Sequence, residues 1–558
     1  MEESLLRAEA APLETGRGIA KAAGILSLGN VASRILGLVR ETVIADLFGA
    51  SGLVSAFQAA SILPTMIYDL LIGGMLSAAL VPVFSDYTAP EKQDELWHIA
   101  STVLSLATLI LSLIVLVLEI FAPQVARLLV GGFDAELLAV TTNLIRIILP
   151  AVIFFGLSGS VTALLFALKR FTYPAFGAAI YNTGIIVSSL LLAPVLGIYS
   201  LPLGVLLGSI LQLAIQLPGL RGGAPPGGGA RSTSSWTVPP ARGGAALRFS
   251  LDLSHPALRR IAALYLPVIL GLVISNVGIV IDRNLASRTG PQSIAWMQYA
   301  TRLIQFPLGL VSAAVSMAIL PTLSQCESAS RRSVAGKGLP AADFQQTLAL
   351  GLKMVLVAII PATVGLFVLA KPIIALVFEH GDFGALDTAQ TALALRCYLI
   401  GLIFAAVDQP LVFAFYARKD TLTPALVGAL GVGIYLAVAL VLIRPLGMIG
   451  LVLANSVQLT AHALIMLFLV RRWGGLRGQG VVPVALKSLL ASLAMGGAAY
   501  LALGWAQSLT GGDSLTGKIA VVGVAGGVGF LVYLGAIALL KVEEVRLIWE
   551  VVRRKVRA

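Results

Sequence analysis

The chain has 558 residues, 58% of them hydrophobic and only 12% charged, and its mean hydropathy is +0.94. Soluble domains carry about a quarter charged residues, so soluble enzymes and nucleic-acid-binding modules are excluded. The net charge of +12 therefore needs a location before it implies a partner. The 57 Gly and 26 Pro would mark loops in a soluble chain but are tolerated in transmembrane helices.

In chain order, residues 1–17 are acidic and polar and lack the basic start of a signal peptide, so they read as a cytoplasmic tail. Apolar helices are expected near 18–48, 52–84, 96–120, 136–166, 172–195 and 199–219, forming an N-lobe over 18–220. Residues 221–256 begin with a Gly, Pro, Ser and Arg-rich run that cannot bury a core, and read as a flexible basic cytoplasmic linker. The stretch LRFSLDLSHPALRR (247–260) is expected to form an interfacial helix. A second set of helices near 258–287, 293–325, 344–370, 388–416, 422–443 and 447–471 makes a C-lobe over 257–472. Two more, near 482–507 and 515–541, occupy 473–541, and a basic cytoplasmic tail closes the chain at 542–558. The fold class is an all-α polytopic membrane protein of about fourteen transmembrane helices; an open sheet could not satisfy its backbone in lipid.

Loops after even-numbered helices hold Lys92, Lys169, Arg170, Arg331, Arg332, Arg418, Lys419, Arg471 and Arg472, while the opposite face has little beyond Arg127, Arg288, Lys371, Arg444 and Lys518. This asymmetry puts both termini in the cytoplasm. An internal repeat runs through the two lobes. SAALVPVFS (77–85) returns as SMAILPTLS (316–324) at an offset of 239. Arg146, Phe154, Ala167, Lys169 and Pro174 return as Arg396, Phe404, Ala417, Lys419 and Pro424 at 250, and Gly204 and Gln212 as Gly450 and Gln458 at 246. Six helices per repeat is an even number, so the halves insert in the same sense, as in transporters built from parallel repeats.

Ionisable residues inside the apolar helices are few: Arg34, Arg40 and Glu41 in the first, Asp69 in the second, Asp282 and Arg283 in the seventh, Arg302 in the eighth and Asp408 in the tenth. Each costs about 2.5–3.5 kcal/mol at a helix centre, so each needs a partner or a polar cavity. Arg34 and Glu41 share nearly one face, as do Arg302 and Gln305. Internal ion pairing, such as Arg34 with Asp69, competes with a cargo role. Arginine's planar fork suits phosphate. Asp408 reads as a polar residue beside a Pro kink, His98, His255 and His462 as isolated, Lys353 as snorkelling and Asp387 as an N-cap. Two cysteines and four scattered histidines give neither a disulfide framework nor a metal site.

The runs SRILGLVRETVIADLFGAS (33–51) and AFQAASILPTMIYDLLIGGMLSAALVPVFSDY (56–87) resemble the start of the MurJ/MviN lipid II flippases, of the multidrug/oligosaccharidyl-lipid/polysaccharide exporter superfamily. WMQYATRLIQFPLGLVSAAVSMAILPTLS (296–324) and AFYARKDTLTPA (414–425) extend the likeness over the first twelve helices of this divergent chain. The resemblance implies two six-helix lobes plus a terminal pair, and movement of the undecaprenyl-diphosphate-linked peptidoglycan precursor between leaflets of the bacterial cytoplasmic membrane. It implies that Arg34, Arg40 and Arg302 bind the diphosphate or headgroup, with Glu41, Asp69, Asp282, Arg283 and Gln305 as cavity or gating candidates. The chain departs from the family pattern at Ser55, where an acid is usual, at Tyr68, where an arginine is usual, and at Gln305, where an acid is usual.

The expected function is thus a lipid-linked oligosaccharide flippase, most simply for lipid II, working by alternating access: a transporter, without catalytic residues, metal or cofactor, coupled to the membrane potential or to an ion. Its partners would be lipid II or a similar undecaprenyl-diphosphate-linked glycan, membrane lipids and cell-wall synthesis proteins, with no nucleic acid. Rival readings are an exporter of another polyprenyl-linked glycan or of a drug-like cation, a degenerate flippase serving as a cell-wall scaffold, and, last, an integral glycosyltransferase.

Overall fold

In the computed structural model, the described residues are 2–70, 79–220, 247–312, 315–316, 319–320, 322–326, 342–473, 475–510, 514–542 and 544. The linker expected over 221–256 therefore lies outside them as far as residue 246, as do residues 545–558 of the basic tail and parts of the two repeated motifs at 77–85 and 316–324. Among the described residues there are helices and turns and no strand. Among the described residues, nine helices are long and apolar enough to cross a membrane, from Pro90–Ile120 to Leu515–Leu539. Large apolar side chains face outward in helical rows, as with Leu422, Leu426 and Leu430. A soluble protein would not leave such rows in water, so the chain is a multi-pass membrane protein.

The chain divides into two compact units, Met1–Phe48 with Gly52–Asn284, and Gly49–Ser51 with Leu285–Ala558. In the first, helix Glu2–Phe48 begins well before the expected residue 18, because the Ala, Leu and Glu of its start are strong helix formers. Helices Gly52–Ala60, Ile62–Tyr68 and Val81–Ser85 follow, then Gln93–Ile120, Ala122–Val130, Ala135–Ile148, Ala151–Ala167, Gly177–Leu196, Ser200–Ala214 and Pro256–Ser287. A core of Leu80, Phe84, Leu96, Ile99, Leu164 and Ile261 joins four of these elements. Helices Gly177–Leu196 and Ser200–Ala214 touch through glycine: a Cβ on Gly208 would lie 2.5 Å from the Tyr181 carbonyl oxygen, so only glycine allows this approach.

Residues 247–255 are not the expected interfacial helix. They run irregularly, with the Arg248 and Ser250 amides donating to Ser101 Oγ at 3.2 Å and Ser105 Oγ at 3.1 Å. These side-chain acceptors replace the helical bonds, and helix formation waits for Pro256, whose missing N–H suits a first turn. Along this stretch His98 Nε2 meets Asp252 Oδ2, and His255 Nε2 meets Glu95 Oε1, each at 3.2 Å, so neither histidine is isolated. The His98 ring holds the exposed Asp252 carboxyl below the ordinary carboxylate range.

The second unit contains helices Ser293–Pro307, Ala342–Val368, Ala370–Val377, Ala385–Ala417, Leu422–Leu446, Met448–Val470, Val481–Thr510 and Leu515–Leu539. One core gathers Leu323, Phe344, Leu348, Leu411, Phe415 and Met466. Another, with Val357, Met495, Tyr533 and Ile537, seats the terminal pair. The backbone repeats what the sequence repeats. Lys169 and Lys419 adopt positive φ of 57° and 64°, and Gly197 and Gly447 both have 55°, each pair 250 residues apart. Positive φ is uncommon away from glycine. Both lysines close their helix with the same two bonds, Lys169 to Phe166 O and Arg170 to Leu165 O, and Lys419 to Tyr416 O and Asp420 to Phe415 O, a double C-terminal cap. The short helices Ala122–Val130 and Ala370–Val377 are a further repeated pair, found where loops around Arg127 and Lys371 are expected.

Candidate functional site

In the first unit, Arg40 acts as a fork. Its Nη2 donates to Glu41 Oε1 at 2.6 Å and its Nη1 to Asn182 Oδ1 at 3.0 Å. The second Glu41 oxygen accepts from Gln58 Nε2 at 3.2 Å, and Asn182 Nδ2 donates to the Ser33 and Ala178 carbonyls at 3.2 and 3.1 Å. The Glu41 side chain is fully buried and that of Arg40 13% exposed. Neighbouring residues diverge by about 100° around a helix, so spacing did not bring this pair together; the length of the arginine does. Gln58 and Asn182 were missed, their only signal being polar side chains in apolar helices.

Arg34 is half-buried on the same helix, and Asp69 is exposed just past Ile62–Tyr68, where the backbone widens into a π-helical turn at Asp69–Leu70. Tyr68 is committed to packing, its ring edge-on to Phe155 at 5.5 Å, and Phe155 stands likewise to Tyr181 at 5.2 Å. A neutral polar belt lies nearby in the chain's fourth and sixth spans: Ser158 Oγ accepts from Gln212 Nε2 at 3.2 Å and from Gln216 Nε2 at 2.8 Å. Asp282 and Arg283 sit half-buried in the closing turns of Pro256–Ser287. The next residue, Asn284, donates to the Leu128 carbonyl at 2.8 Å and so ties that helix end to Ala122–Val130.

In the second unit, Arg302 Nη1 donates to Gln305 Oε1 at 3.3 Å, one turn along the same helix. Arg302 is half-exposed and Gln305 exposed, and a π-helical turn over Leu308–Ser312 follows directly. Such turns recur at functional positions in helices. Asp408 is not a lone acid beside a kink: its Oδ1 lies 2.8 Å from His462 Nδ1. Lys353 does not simply snorkel but pairs with Glu544 at 3.2 Å. Asp387 is not an N-cap: Gly384 is, and Asp387 stands three residues later, accepting from the Gly384 amide at 3.1 Å and from Trp296 Nε1 at 2.8 Å. Among the described residues no His, Cys, Asp or Glu cluster could hold a metal ion.

The arrangement offers buried, hydrogen-bonded charge and arginine donors within apolar helices, the chemistry for recognising an anionic group rather than for bond cleavage. A family model described as "Lipid II flippase MurJ" matches residues 44–516. A probable lipid II flippase MurJ of Vibrio cholerae is 31% identical over 538 residues, covering 92% of this chain and 95% of the relative. The lipid II flippase MurJ of Burkholderia cenocepacia is 30% identical over 457 residues, covering 80% and 82%. Among solved structures, a lipid II flippase MurJ in an inward closed conformation gives a TM-score of 0.74 at 26% identity, over 92% of this chain and 98% of that one. A multidrug-resistance MATE family transporter in an inward-facing conformation gives 0.60 at 14% identity, over 80% and 95%, a likeness of fold alone.

Proposed function

Because the chain belongs to the MurJ family of lipid II flippases, we propose that it carries lipid II across the bacterial inner membrane by alternating access, with both termini in the cytoplasm. The observation that carries this reading is the family match over residues 44–516, which spans both repeats. Arg34 of the first helix and Arg302 of the eighth supply cationic contacts to the diphosphate, since a guanidinium can grip two oxygens at once, and Arg40 joins them when cargo replaces one of its bonds to Glu41 and Asn182. The sugar–peptide headgroup crosses in a hydrated path while the prenyl tail stays in lipid. Membrane potential or a bound ion biases the two access states, which must differ in affinity for cargo or charge if transport is to be driven. Cell-wall synthesis proteins are its expected neighbours.

The departures at Ser55, Tyr68 and Gln305 favour a second reading, transport of another polyprenyl-linked glycan. They weigh unequally. Ser55 is fully buried and the Tyr68 ring is packed on Phe155, which leaves the exposed Gln305 as the one most able to alter headgroup contacts. Purified protein in liposomes, given fluorescent lipid II with and without a competing lipid-linked sugar, tests both readings. Translocation of lipid II undiminished by the competitor supports the first; movement of the competitor alone overturns it.

A further inference from the structure

The two units differ at one pair of repeat-related positions in a way that the flippase reading does not use. Ser158 and Asp408 are 250 residues apart, the offset of the fourth and tenth spans, and Gln216 and His462 are 246 apart, the offset of the sixth and twelfth. In the first unit Gln216 Nε2 donates to Ser158 Oγ at 2.8 Å; in the second, His462 Nδ1 meets Asp408 Oδ1 at the same 2.8 Å. The same bridge between the same two spans is thus neutral in one unit and ionisable in the other. We infer that Asp408 and His462 form a proton-binding site within the membrane-spanning part of the C-terminal unit, its ligand being a proton exchanged with water.

The pair stands roughly 12–14 Å along the helix axes from the ends at Ala417 and Val470, inside a hydrocarbon layer about 30 Å thick. Its side chains are 21% and 16% exposed, so neither is sealed in the protein core. An ionised carboxylate only accepts, so Nδ1 carries the hydrogen of this bond, and a neutral imidazole that donates from Nδ1 leaves its other ring nitrogen without one. Uptake of one proton at that nitrogen turns a net negative pair into a neutral one. Histidine makes that change in the physiological range, and intramembrane carboxylate–histidine groups serve proton relays.

Other titratable and charged groups stand on the helices around the pair, among them Lys371 of Ala370–Val377. On the Asp408 helix, Tyr416 feels the carboxylate charge, Arg396 donates to the Phe367 carbonyl, and Arg418 stacks on Phe344 and Trp473. Helix Leu422–Leu446 presents Gly431 to the His462 ring and holds Tyr435 and Arg444 further along. Lys353 of Ala342–Val368 is paired with Glu544, and Arg302 of Ser293–Pro307 with Gln305.

The test is the protonation of the His462 ring in full-length ¹⁵N-histidine-labelled protein in lipid nanodiscs, followed by NMR, with the resonance identified by its loss in His462→Gln. The expected result is a change between one and two ring N–H groups as pH moves between about 5 and 9, with a midpoint that shifts in Asp408→Asn while His98, His255 and His380 keep theirs. A wild-type ring that holds one protonation state throughout overturns the site without any variant, and an unshifted midpoint overturns the pairing. The double substitution Asp408→Ser with His462→Gln installs the pair that the first unit already carries, and so keeps a fold-compatible control. Use of this proton in transport rests on the proposed function: lipid II translocation in liposomes should change at least threefold across the His462 midpoint in wild type and less than twofold in the double variant. Equal profiles overturn the coupling. Absence of translocation at every pH counts against the flippase reading instead, and leaves the titration to decide the site.

Discussion

The two units share a backbone and part company in their polar chemistry. Lys169 and Lys419 take the same positive φ and cap their helices with the same bonds, yet the residues that follow act in opposite senses. Arg170 donates to the Gly219 carbonyl at 2.5 Å, whereas Asp420 accepts from the Thr423 amide at 3.0 Å. The arginines differ similarly. Arg40 is built into a buried network across helices Glu2–Phe48, Gly52–Ala60 and Gly177–Leu196, while Arg302 bonds to Gln305 on its own helix and is half-exposed. Duplication has thus preserved the turns, which are fixed by backbone geometry, and left the charges to diverge. A charged side chain in such a protein can hold the fold or face the cargo, and its partners tell which.

The strongest test of that division is Glu41→Ala. It leaves the Arg40 guanidinium buried beside an empty space, and breaking one side of a buried pair costs about 3–5 kcal/mol. Thermal unfolding in detergent should register this as a large drop in Tm. Replacing Arg40 and Glu41 together by Met should recover most of the loss, since an apolar pair of similar volume carries no stranded charge. If translocation returns with stability, Arg40 serves the fold alone; if stability returns without translocation, it also touches cargo. Asn182→Ala is the milder version. It removes one acceptor from a charged donor, worth about 2 kcal/mol, and a Tm equal to wild type would show that the network does not reach the fifth span energetically.

Much of the architecture was legible because lipid enforces it. A helix that must satisfy its own backbone in hydrocarbon needs a long apolar run, and the runs expected at 388–416 and 447–471 form helices Ala385–Ala417 and Met448–Val470. Short amphipathic helices such as Ala122–Val130, at nine residues, carry no such demand and merged with the loops. The arginines were visible as exceptions to composition, but their partners were not. Asn182 is 142 residues from Arg40, and His462 is 54 from Asp408, beyond the reach of any periodicity. The second pair did leave a trace: both members lie at the repeat offsets already established, opposite Ser158 and Gln216, and extending the repeat to polar positions would have joined them.

Arg302→Ala sharpens the comparison from the other side. A half-exposed side chain bonded within its own turn contributes little to folding, so Tm should stay within the equivalent of about 0.5 kcal/mol. Lipid II translocation should fall at least tenfold, about 1.4 kcal/mol in rate terms, with Arg302→Lys recovering only part because an ammonium lacks the planar fork. A fall in Tm comparable to that of Glu41→Ala would place Arg302 among the fold-holding charges and erase the contrast between the units.

The smallest effect is expected at Asp420, where the second unit uses an acid in place of Arg170. Its Oδ1 accepts from the Thr423 amide at 3.0 Å and its Oδ2 from the Thr423 hydroxyl at 2.7 Å, an N-terminal cap for helix Leu422–Leu446. These bonds favour the charged form and hold its carboxyl below the ordinary range. A group whose pKa is lowered by folding adds stability that is present above its unfolded value, near 3.9, and is lost as pH falls through the folded one. Asp420→Ala should therefore lower stability by about 1 kcal/mol at neutral pH, and the gap to wild type should narrow as the pH drops below about 4. Arg170→Ala in the first unit, where the bond goes to the Gly219 carbonyl, should show a difference from wild type that does not change over the same acid range. A pH-independent gap at Asp420 would mean that the carboxylate's charge contributes nothing to the cap, and that the two units differ here in residue name rather than in mechanism.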